Sequence, residues 1–536
     1  MSEEPAHHDC IVIGAGFSGL AVLHHLLAAG FDAVGVDRND AVGGTWLVNR
    51  YPGVRTDSDF PIYSFSFPVA VREEWTWSEQ YPTGAEVLAY LQFLANRLGL
   101  IDHIQFGREV VRAEYSEHAG LWRVDFASGP SMTCTYLVSC MGILDAPMWP
   151  DIPGRDTFAG ELLHTADWPV PGVELAGRTV GLIGLGSSGI QIMPLLARDS
   201  AALYVFQREP NYVVESSFPA VSAEQMAHIR RTYDDIWRRA AAHPFGVDMV
   251  IPEFGADEVS AERRRLIFES KWQEGGHHFA NETFHDLATD PRASEHAAEF
   301  IRSKIRQIVH DPATAELLSP RRYSFNGKRV PTGHGYYAAY NLPHVHLVDV
   351  RTTPIDEVVP AGLRVGARTY PCDVLVCATG FDAMTGPLTR IDIVGRDGRV
   401  LREAWRTGVR TNLGLSVHGF PNLLLSLGPQ TPYSNLPVPI QLGAQWMARA
   451  LTFARDHQIV LEATAQSEQW WAEEVERTGR ATVMYEEGAK AGAWFLGANV
   501  PGKRRELLVY MGGGQVYQQH CMQAELEQYR SFRAQG

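Results

Sequence analysis

Two glycine-rich turns, each set between an apolar run and a helical segment, constrain the fold of this 536-residue chain more than any other feature. They are Gly14-Ala-Gly16-Phe-Ser-Gly19, after residues 10–13, and Gly184-Leu-Gly186-Ser-Ser-Gly189, after residues 179–183. The glycines let the backbone approach a pyrophosphate, and the helix that follows offers free N–H donors at its N-terminus. Two such units predict an α/β fold with two Rossmann-like dinucleotide-binding domains.

The residue that ends the second strand of each unit indicates which dinucleotide is bound. Asp37 lies 37 − 14 = 23 positions after Gly14, near the roughly 20 expected for an acid that binds ribose hydroxyls. An N-terminal unit of this kind, followed by a second one, most often holds FAD. Arg208 lies 208 − 184 = 24 positions after Gly184, and a cation there suits the 2′-phosphate of NADP. Glu209 follows and would repel that phosphate if it pointed inward, so NADH stays open, as does a plain surface role for Arg208.

Composition excludes several other classes of protein. A formal net charge of -15 argues against a nucleic-acid-binding surface. The six cysteines contain no C-x-x-C pair, which excludes a disulfide reductase and favours buried thiols in the reducing cytoplasm. The most apolar window, residues 180–197, contains polar positions and predicts strand, turn and helix rather than a membrane span. The polar residues 1–8 lack the layout of a signal peptide.

The segment between the two turns carries the most specific pattern. It reads Phe158-Ala-Gly160-Glu-Leu-Leu-His164-Thr-Ala-Asp-Trp168-Pro169. This resembles, at every fixed position, the F-x-G-x-x-x-H-x-x-x-W-P signature of Baeyer–Villiger monooxygenases. Related N-oxygenating flavoenzymes usually end the pattern in Tyr, so Trp168-Pro169 favours a ketone oxygenase. The alternative is a linker with a buried aromatic side chain.

Further segments resemble the same family from about residue 10 to about residue 530. Residues 43–57 resemble a second signature, G-G-x-W followed by Y-P-G-x-x-x-D, and residues 428–437 resemble the pocket loop of cyclohexanone monooxygenases. From the residues alone, Asp57 would be a turn former and the pair Lys328-Arg329 a surface feature.

The resemblance implies a role for each matching residue. Arg329 would be the catalytic cation, and Asp57 would hold its guanidinium group. The FAD contacts would be Gly14, Gly16, Gly19, Asp37, Gly44, Thr45, Trp46 and Asp57. The NADP contacts would be Gly184, Gly186, Ser187, Ser188, Gly189, Arg208, Lys328 and Trp494. The substrate pocket would include Leu144, Tyr433, Ser434 and Leu436. The linker residues Phe158, Gly160, His164, Trp168 and Pro169 would govern domain movement. No metal site is predicted.

The resemblance also implies a reaction. NADPH reduces FAD, the reduced flavin captures O2 as a C4a-peroxyflavin, and the peroxide attacks a ketone, expected to be cyclic, to give an ester or lactone. The site must exclude water, and Trp494 and the loop around Tyr433 are the predicted covers. N- or S-oxygenation, a decoupled NADPH oxidase and a flavin redox sensor remain alternatives. The partners would be the ketone and O2, with the oligomeric state open and a monomer plausible.

The same argument divides the chain into five segments. Residues 1–145 and 385–536 would form the FAD-binding domain. Residues 146–216, which begin with the linker signature, and residues 327–384 would form the NADP-binding domain. Residues 217–326, rich in Ala, Glu, Arg and His at helical spacing, would form a helical insertion whose charges lie on solvated faces.

Overall fold

Two sheets dominate the structure, a computed structural model that describes residues 5–533. Residues 1–4, part of the segment predicted to carry no signal peptide, lie outside that range. Within it, the larger sheet has eight strands. Their spatial order is Asp392–Val394, Val110–Ser116, Leu121–Phe126, Met132–Ser139, Ala6–Ile13, Ala33–Val36 and Ile104–Gln105, with Leu423–Leu425 also paired to Met132–Ser139.

The second sheet is entirely parallel. Its strands, in spatial order, are Val345–Asp349, Ala202–Gln207, Thr179–Ile183, Val374–Cys377 and Glu161–His164. The central strands are continuous apolar runs because helices and loops cover both faces of a parallel sheet. Two small sheets complete the described strands, one formed by Ile355–Val359, Gly362–Val365 and Arg368–Pro371 and the other by Val214–Glu215 and Thr332–Gly333.

The α-helices flank these sheets and fill the segment between them. Those described are Phe17–Ala28, Thr45–Val48, Val69–Glu74, Gly84–Arg97, Ser187–Asp199, Ala223–Ala242, Ala261–Glu274, His278–Asn281, Pro291–Ile308, Pro312–Leu317, Tyr336–Ala339, Gly386–Thr389, Leu401–Ala404, Pro437–His457, Ala465–Arg480, Val483–Ala491 and Gly514–Leu526.

Both predicted strand–turn–helix units are confirmed. Strands Ala6–Ile13 and Thr179–Ile183 each run into a glycine turn, and helices Phe17–Ala28 and Ser187–Asp199 follow. The third glycine of each turn lets the helix pack onto the strand. A Cβ atom at Gly19 would lie 1.8 Å from the Gly14 carbonyl oxygen, and one at Gly189 would lie 2.1 Å from that of Gly184. Any larger residue at either position would force the helix away.

The helical insertion differs in one respect from its prediction. Its helices are present, but Arg302 does not lie on a solvated face, because its side chain is 6% exposed. Its Nη1 atom donates to the Tyr212 hydroxyl at 3.1 Å and to the Pro320 carbonyl at 3.2 Å, and Glu295 and Glu299 neutralise the charge. A guanidinium group with this many partners can be buried at acceptable cost.

Sheet membership supports the five-segment division, which we propose as the domain organisation. The larger sheet takes its strands from both ends of the chain, and the parallel sheet takes its strands from the middle. All six cysteines are buried and free, as the buried-thiol interpretation predicts. No helix between residues 5 and 533 is long and apolar enough to cross a bilayer.

Trp122 closes the larger sheet against the returning chain, and its removal provides a test of this packing. The ring is fully buried, and its Nε1 atom donates to the Pro421 carbonyl at 2.7 Å. Trp122→Ala should lower the free energy of unfolding by about 3–5 kcal/mol through the cavity it leaves, measured by urea denaturation. Trp470→Ala, at a ring that is 46% exposed, should cost about 1 kcal/mol or less. Equal losses in the two variants would contradict this packing.

Candidate active site

A cavity of about 830 Å³ lies where the two glycine turns face each other. Residues that follow the carboxyl ends of strands in both sheets line it, among them Gly14, Asp37, Met141, Ser187 and Gly380. Dinucleotides bind at this edge of open α/β sheets. The cavity therefore reaches both predicted cofactor sites, although Gly19, Gly184, Gly189 and Arg208 are not among its lining residues.

The first turn fits the pyrophosphate and ribose of FAD. The helix Phe17–Ala28 begins at Gly16 with no side-chain cap, so its first N–H groups are free to bind phosphate. A Cβ atom at Gly14 would lie 2.5 Å from the Cys140 carbonyl oxygen. The buried carboxylate of Asp37 accepts from the Ala15 N–H at 2.7 Å and is thereby fixed at the cavity wall.

The second predicted group of FAD contacts lies beside the first turn. Gly44 approaches Gly16 so closely that a Cβ atom at Gly44 would lie 2.9 Å from the Gly16 Cα. Thr45 and Trp46 follow at the start of a short helix and also line the cavity. Only glycine allows this contact between two backbones, which brings residues 43–57 to the cofactor edge.

The second turn repeats this construction and fits the pyrophosphate of NADP. The helix Ser187–Asp199 begins at Gly186 with no side-chain cap. A Cβ atom at Gly184 would lie 2.5 Å from the Ala378 carbonyl oxygen, the counterpart of the contact between Gly14 and Cys140. Ser187 and Ser188 line the cavity at the start of the helix.

The charge of Glu209 is neutralised by a residue that sequence reasoning missed. Glu209 accepts from Arg322 Nη1 at 3.0 Å, and its side chain is only 10% exposed. Arg208 is exposed beside it. Burial lowers the pKa of Lys328 to about 8. The positive charges of Arg208 and Arg322 contribute to this decrease, and the negative charge of Glu209 opposes it. Three cations thus surround one carboxylate, a net positive site that suits a phosphate group.

Arg329 and Asp57 form an ion pair in the cavity wall. The distance between Arg329 Nη2 and Asp57 Oδ2 is 2.5 Å, and the side-chain exposures are 33% and 4%. Arg329 Nη1 also donates to Ser187 Oγ at 2.7 Å, and Gln191 Nε2 donates to the other oxygen of Asp57 at 3.2 Å. Burial disfavours the charge of Arg329, but Asp57 more than offsets it, so the pKa of the guanidinium group lies above its ordinary value.

Aromatic side chains line the cavity that contains this pair. Tyr433 packs its ring 6.2 Å from that of Trp494, 6.0 Å from Phe495 and 6.5 Å from Phe245. The structure places all four predicted pocket residues, Leu144, Tyr433, Ser434 and Leu436, in the cavity wall. These residues share the cavity wall with Arg329.

The signature linker lies outside the described wall of this cavity. His164 is buried, accepts from the Ala166 N–H at 3.0 Å and lies 3.3 Å from the Met148 carbonyl oxygen. Trp168 is buried in the wall of a second cavity of about 410 Å³. Phe158 packs against the buried cluster of the parallel sheet, whereas Pro169 is exposed. At Gly160, a Cβ atom would lie 2.3 Å from the Asp373 carbonyl oxygen, so the chain passes close to that backbone. These contacts fit a structural role between the sheets.

The helical insertion contributes residues to the main cavity that sequence reasoning did not identify. They are Phe245, Val247, His277, Ala280, Asn281, Ala288 and Asn326. The signal that could have indicated some of them is Gly275-Gly276, which interrupts the helical pattern immediately before His277.

A cluster of three side chains in the insertion has the residue types of a metal site, but a lysine already pairs with its carboxylates. Donor atoms of Glu274, His278 and Glu282 lie within 4.8 Å of one another. The Lys271 ammonium group donates to Glu274 at 2.7 Å and to Glu282 at 2.8 Å. An internal cation therefore already balances these carboxylates.

Comparison with known proteins agrees with this geometry. Residues 7–240 match the family "FMO-like: Flavin-binding monooxygenase-like". The chain is 36% identical over 531 residues to a Baeyer-Villiger monooxygenase of Pseudooceanicola batsensis, with 98% of this chain and 96% of that one covered. It is 34% identical over 536 residues to phenazine N-monooxygenase PhzNO1 of Lysobacter antibioticus, with 99% and 98% covered.

Solved structures match over the same length. The closed crystal structure of cyclohexanone monooxygenase superposes with a TM-score of 0.96 at 38% identity and covers 99% of this chain and 100% of that one. The structure of OTEMO in complex with FAD and NADP gives a TM-score of 0.94 at 35% identity, with 99% and 100% covered. As the signature at residues 158–169 predicts, the chain belongs to the Baeyer–Villiger monooxygenase family of flavoproteins, with the FAD- and NADP-binding fold of that family.

Proposed function

We propose that this chain inserts one oxygen atom of O2 beside the carbonyl carbon of a ketone, with FAD and NADPH, to give an ester or lactone. Arg329 is the proposed catalytic residue and Asp57 its positioning residue. Cyclic ketones are the proposed substrates because cyclohexanone monooxygenase resembles this chain over its full length. When bound, FAD reduced by NADPH supplies the activation of O2.

The observation that carries the proposal is the ion pair between Arg329 and Asp57. Attack on a ketone places negative charge on the carbonyl oxygen, and a fixed cation in an enclosed site stabilises that charge. Arg329 retains its proton throughout, so it acts as a permanent charge. Asp57 and Ser187 each hold one terminal nitrogen of the guanidinium group, which fixes its direction before the substrate arrives.

The aromatic wall supports the same reaction by excluding water. Tyr433, Trp494 and Phe245 form an aromatic part of the cavity wall that would limit the access of water to Arg329, whose side chain is 33% exposed. A dry site strengthens the field of the guanidinium group and limits the loss of activated oxygen as peroxide.

N-oxygenation is the second candidate function, since one relative is named a phenazine N-monooxygenase. Oxygen transfer to an amine nitrogen forms no carbonyl oxyanion, so it makes no use of a fixed cation. The position of Arg329 therefore favours the ketone reaction.

Replacing the cation tests the proposal. Arg329→Ala should lower kcat/KM for ester formation about 100- to 1,000-fold while FAD remains bound, measured by product analysis of a ketone reaction. Arg321→Ala, at an exposed arginine that pairs with Glu316 on the same segment, is the matched control and should stay within about twofold of wild type. Unchanged ester formation in Arg329→Ala, or hydroxylated amine with no ester from wild type, would contradict it.

Cofactor choice depends on the three cations around Glu209. Arg208→Ala and Lys328→Ala should each lower kcat/KM for NADPH about tenfold, the loss of one charge-assisted contact of roughly 1.4 kcal/mol. The values for NADH, which lacks the 2′-phosphate, should change little and serve as the internal control. An equal loss with both cofactors would indicate that these residues do not bind the phosphate.

The pH dependence follows from Lys328, whose pKa is lowered to about 8. The side chain is charged below that pKa and neutral above it, so it loses its attraction for phosphate as the pH rises. The KM for NADPH should therefore increase between about pH 8 and pH 10, while the KM for NADH stays flat. Lys328→Arg should remove the increase, because arginine remains charged. A rise that persists in Lys328→Arg would exclude Lys328 as its source.

A further inference from the structure

His277 places an imidazole ring in the wall of the main cavity. The chain turns immediately before it at Gly275 and Gly276, whose φ angles are +78° and +56°. A Cβ atom at Gly276 would lie 2.7 Å from the Tyr81 hydroxyl, so the turn is tightly packed. The His277 carbonyl accepts from Asn281 Nδ2 at 2.9 Å. The backbone at His277 is therefore held in place, and the ring is available to the cavity.

The polar atoms of this ring are unused by the protein. Between residues 5 and 533, no side chain or backbone group forms a hydrogen bond with the His277 ring. The Tyr433 hydroxyl, also in the cavity wall, is likewise without a partner in the described chain, although its ring is packed by Trp494 and Phe495. A polar atom that loses water without gaining a partner costs about 1–3 kcal/mol.

Both groups lie beside the proposed catalytic pair and are uncharged at neutral pH. Burial lowers the pKa of His277 to about 4. The positive charge of Arg329 contributes to this decrease, and the negative charge of Asp57 opposes it. Burial also raises the pKa of Tyr433 to about 12. The negative charge of Asp57 contributes to this increase, and the positive charge of Arg329 opposes it. The charge of Arg329 is itself balanced by Asp57 at 2.5 Å. His277 and Tyr433 therefore offer neutral donors and acceptors beside the balanced charge of Arg329.

We infer that the preferred substrates are ketones with a second, uncharged polar group, a hydroxyl or a second carbonyl, which His277 and Tyr433 bind. A purely hydrocarbon ketone would displace water from these side chains and leave them without partners. A site built to hydrogen-bond a substrate group discriminates strongly against analogues that lack it. The inference rests on the proposed function, because it places the reacting carbonyl beside Arg329.

Matched substrates test this with the wild-type holoenzyme, FAD and NADPH. A hydroxycyclohexanone and a methylcyclohexanone, substituted at the same ring carbon, have nearly equal size, and a cyclohexanedione adds the second carbonyl. We expect kcat/KM for the hydroxyl or dione compound to exceed that for the methyl compound at least tenfold, with most of the difference in KM. Equal values for all three, or a preference for an oxocyclohexanecarboxylate, would overturn the inference. No ester from any ketone would instead overturn the proposed function.

Variants assign the preference to the two side chains. His277→Phe should raise the KM for the hydroxyl compound about tenfold more than the KM for the methyl compound. His277→Gln should restore most of the preference, because its amide donates and accepts. Tyr433→Phe keeps the ring and should lose part of the preference. FAD content and melting temperature show whether each variant is folded. If a variant does not fold, the comparison of substrates with the wild-type enzyme still tests the inference. An equal loss on both compounds would overturn the assignment.

Discussion

The ion pair between Arg329 and Asp57 is the interaction on which the proposed site depends. It joins a loop that follows the first glycine turn to the start of the helix after the second turn, through Ser187 and Gln191. A nearly buried carboxylate alone would be costly, and so would a guanidinium group without partners. Each compensates the other, so a stabilised ion pair helps to join the two cofactor-binding regions.

Several parts of this arrangement could be predicted from the sequence because they depend on local chemistry. Strand Thr179–Ile183 has the bounds of the apolar run before the second glycine turn, since a continuous apolar run that ends at turn residues favours a buried parallel strand. The glycine turns and Asp37 follow from the backbone geometry that a dinucleotide requires. The structure brings Arg329 and Asp57 together, although only the family resemblance separated them from ordinary surface and turn residues.

Other parts depend on contacts between distant segments, for which the sequence contains no local signal. Arg322, which neutralises Glu209, lies 113 residues from it, and neither position has a pattern that indicates the other. The insertion has the composition of a solvated helical segment, yet it buries Arg302 and places His277 in the cavity. Such departures from local expectation occur where tertiary packing or function outweighs propensity.

The central claim, that Asp57 acts by holding the charge of Arg329 in position, is tested most directly by a double-mutant cycle. The cycle compares kcat/KM for ester formation in wild type, Arg329→Lys, Asp57→Asn and the double variant. If the residues act as one unit, the double variant should be little worse than the poorer single variant, with a coupling energy of about 1.5 kcal/mol or more. Losses that add within about 0.5 kcal/mol would show that the two residues act independently and would contradict the account.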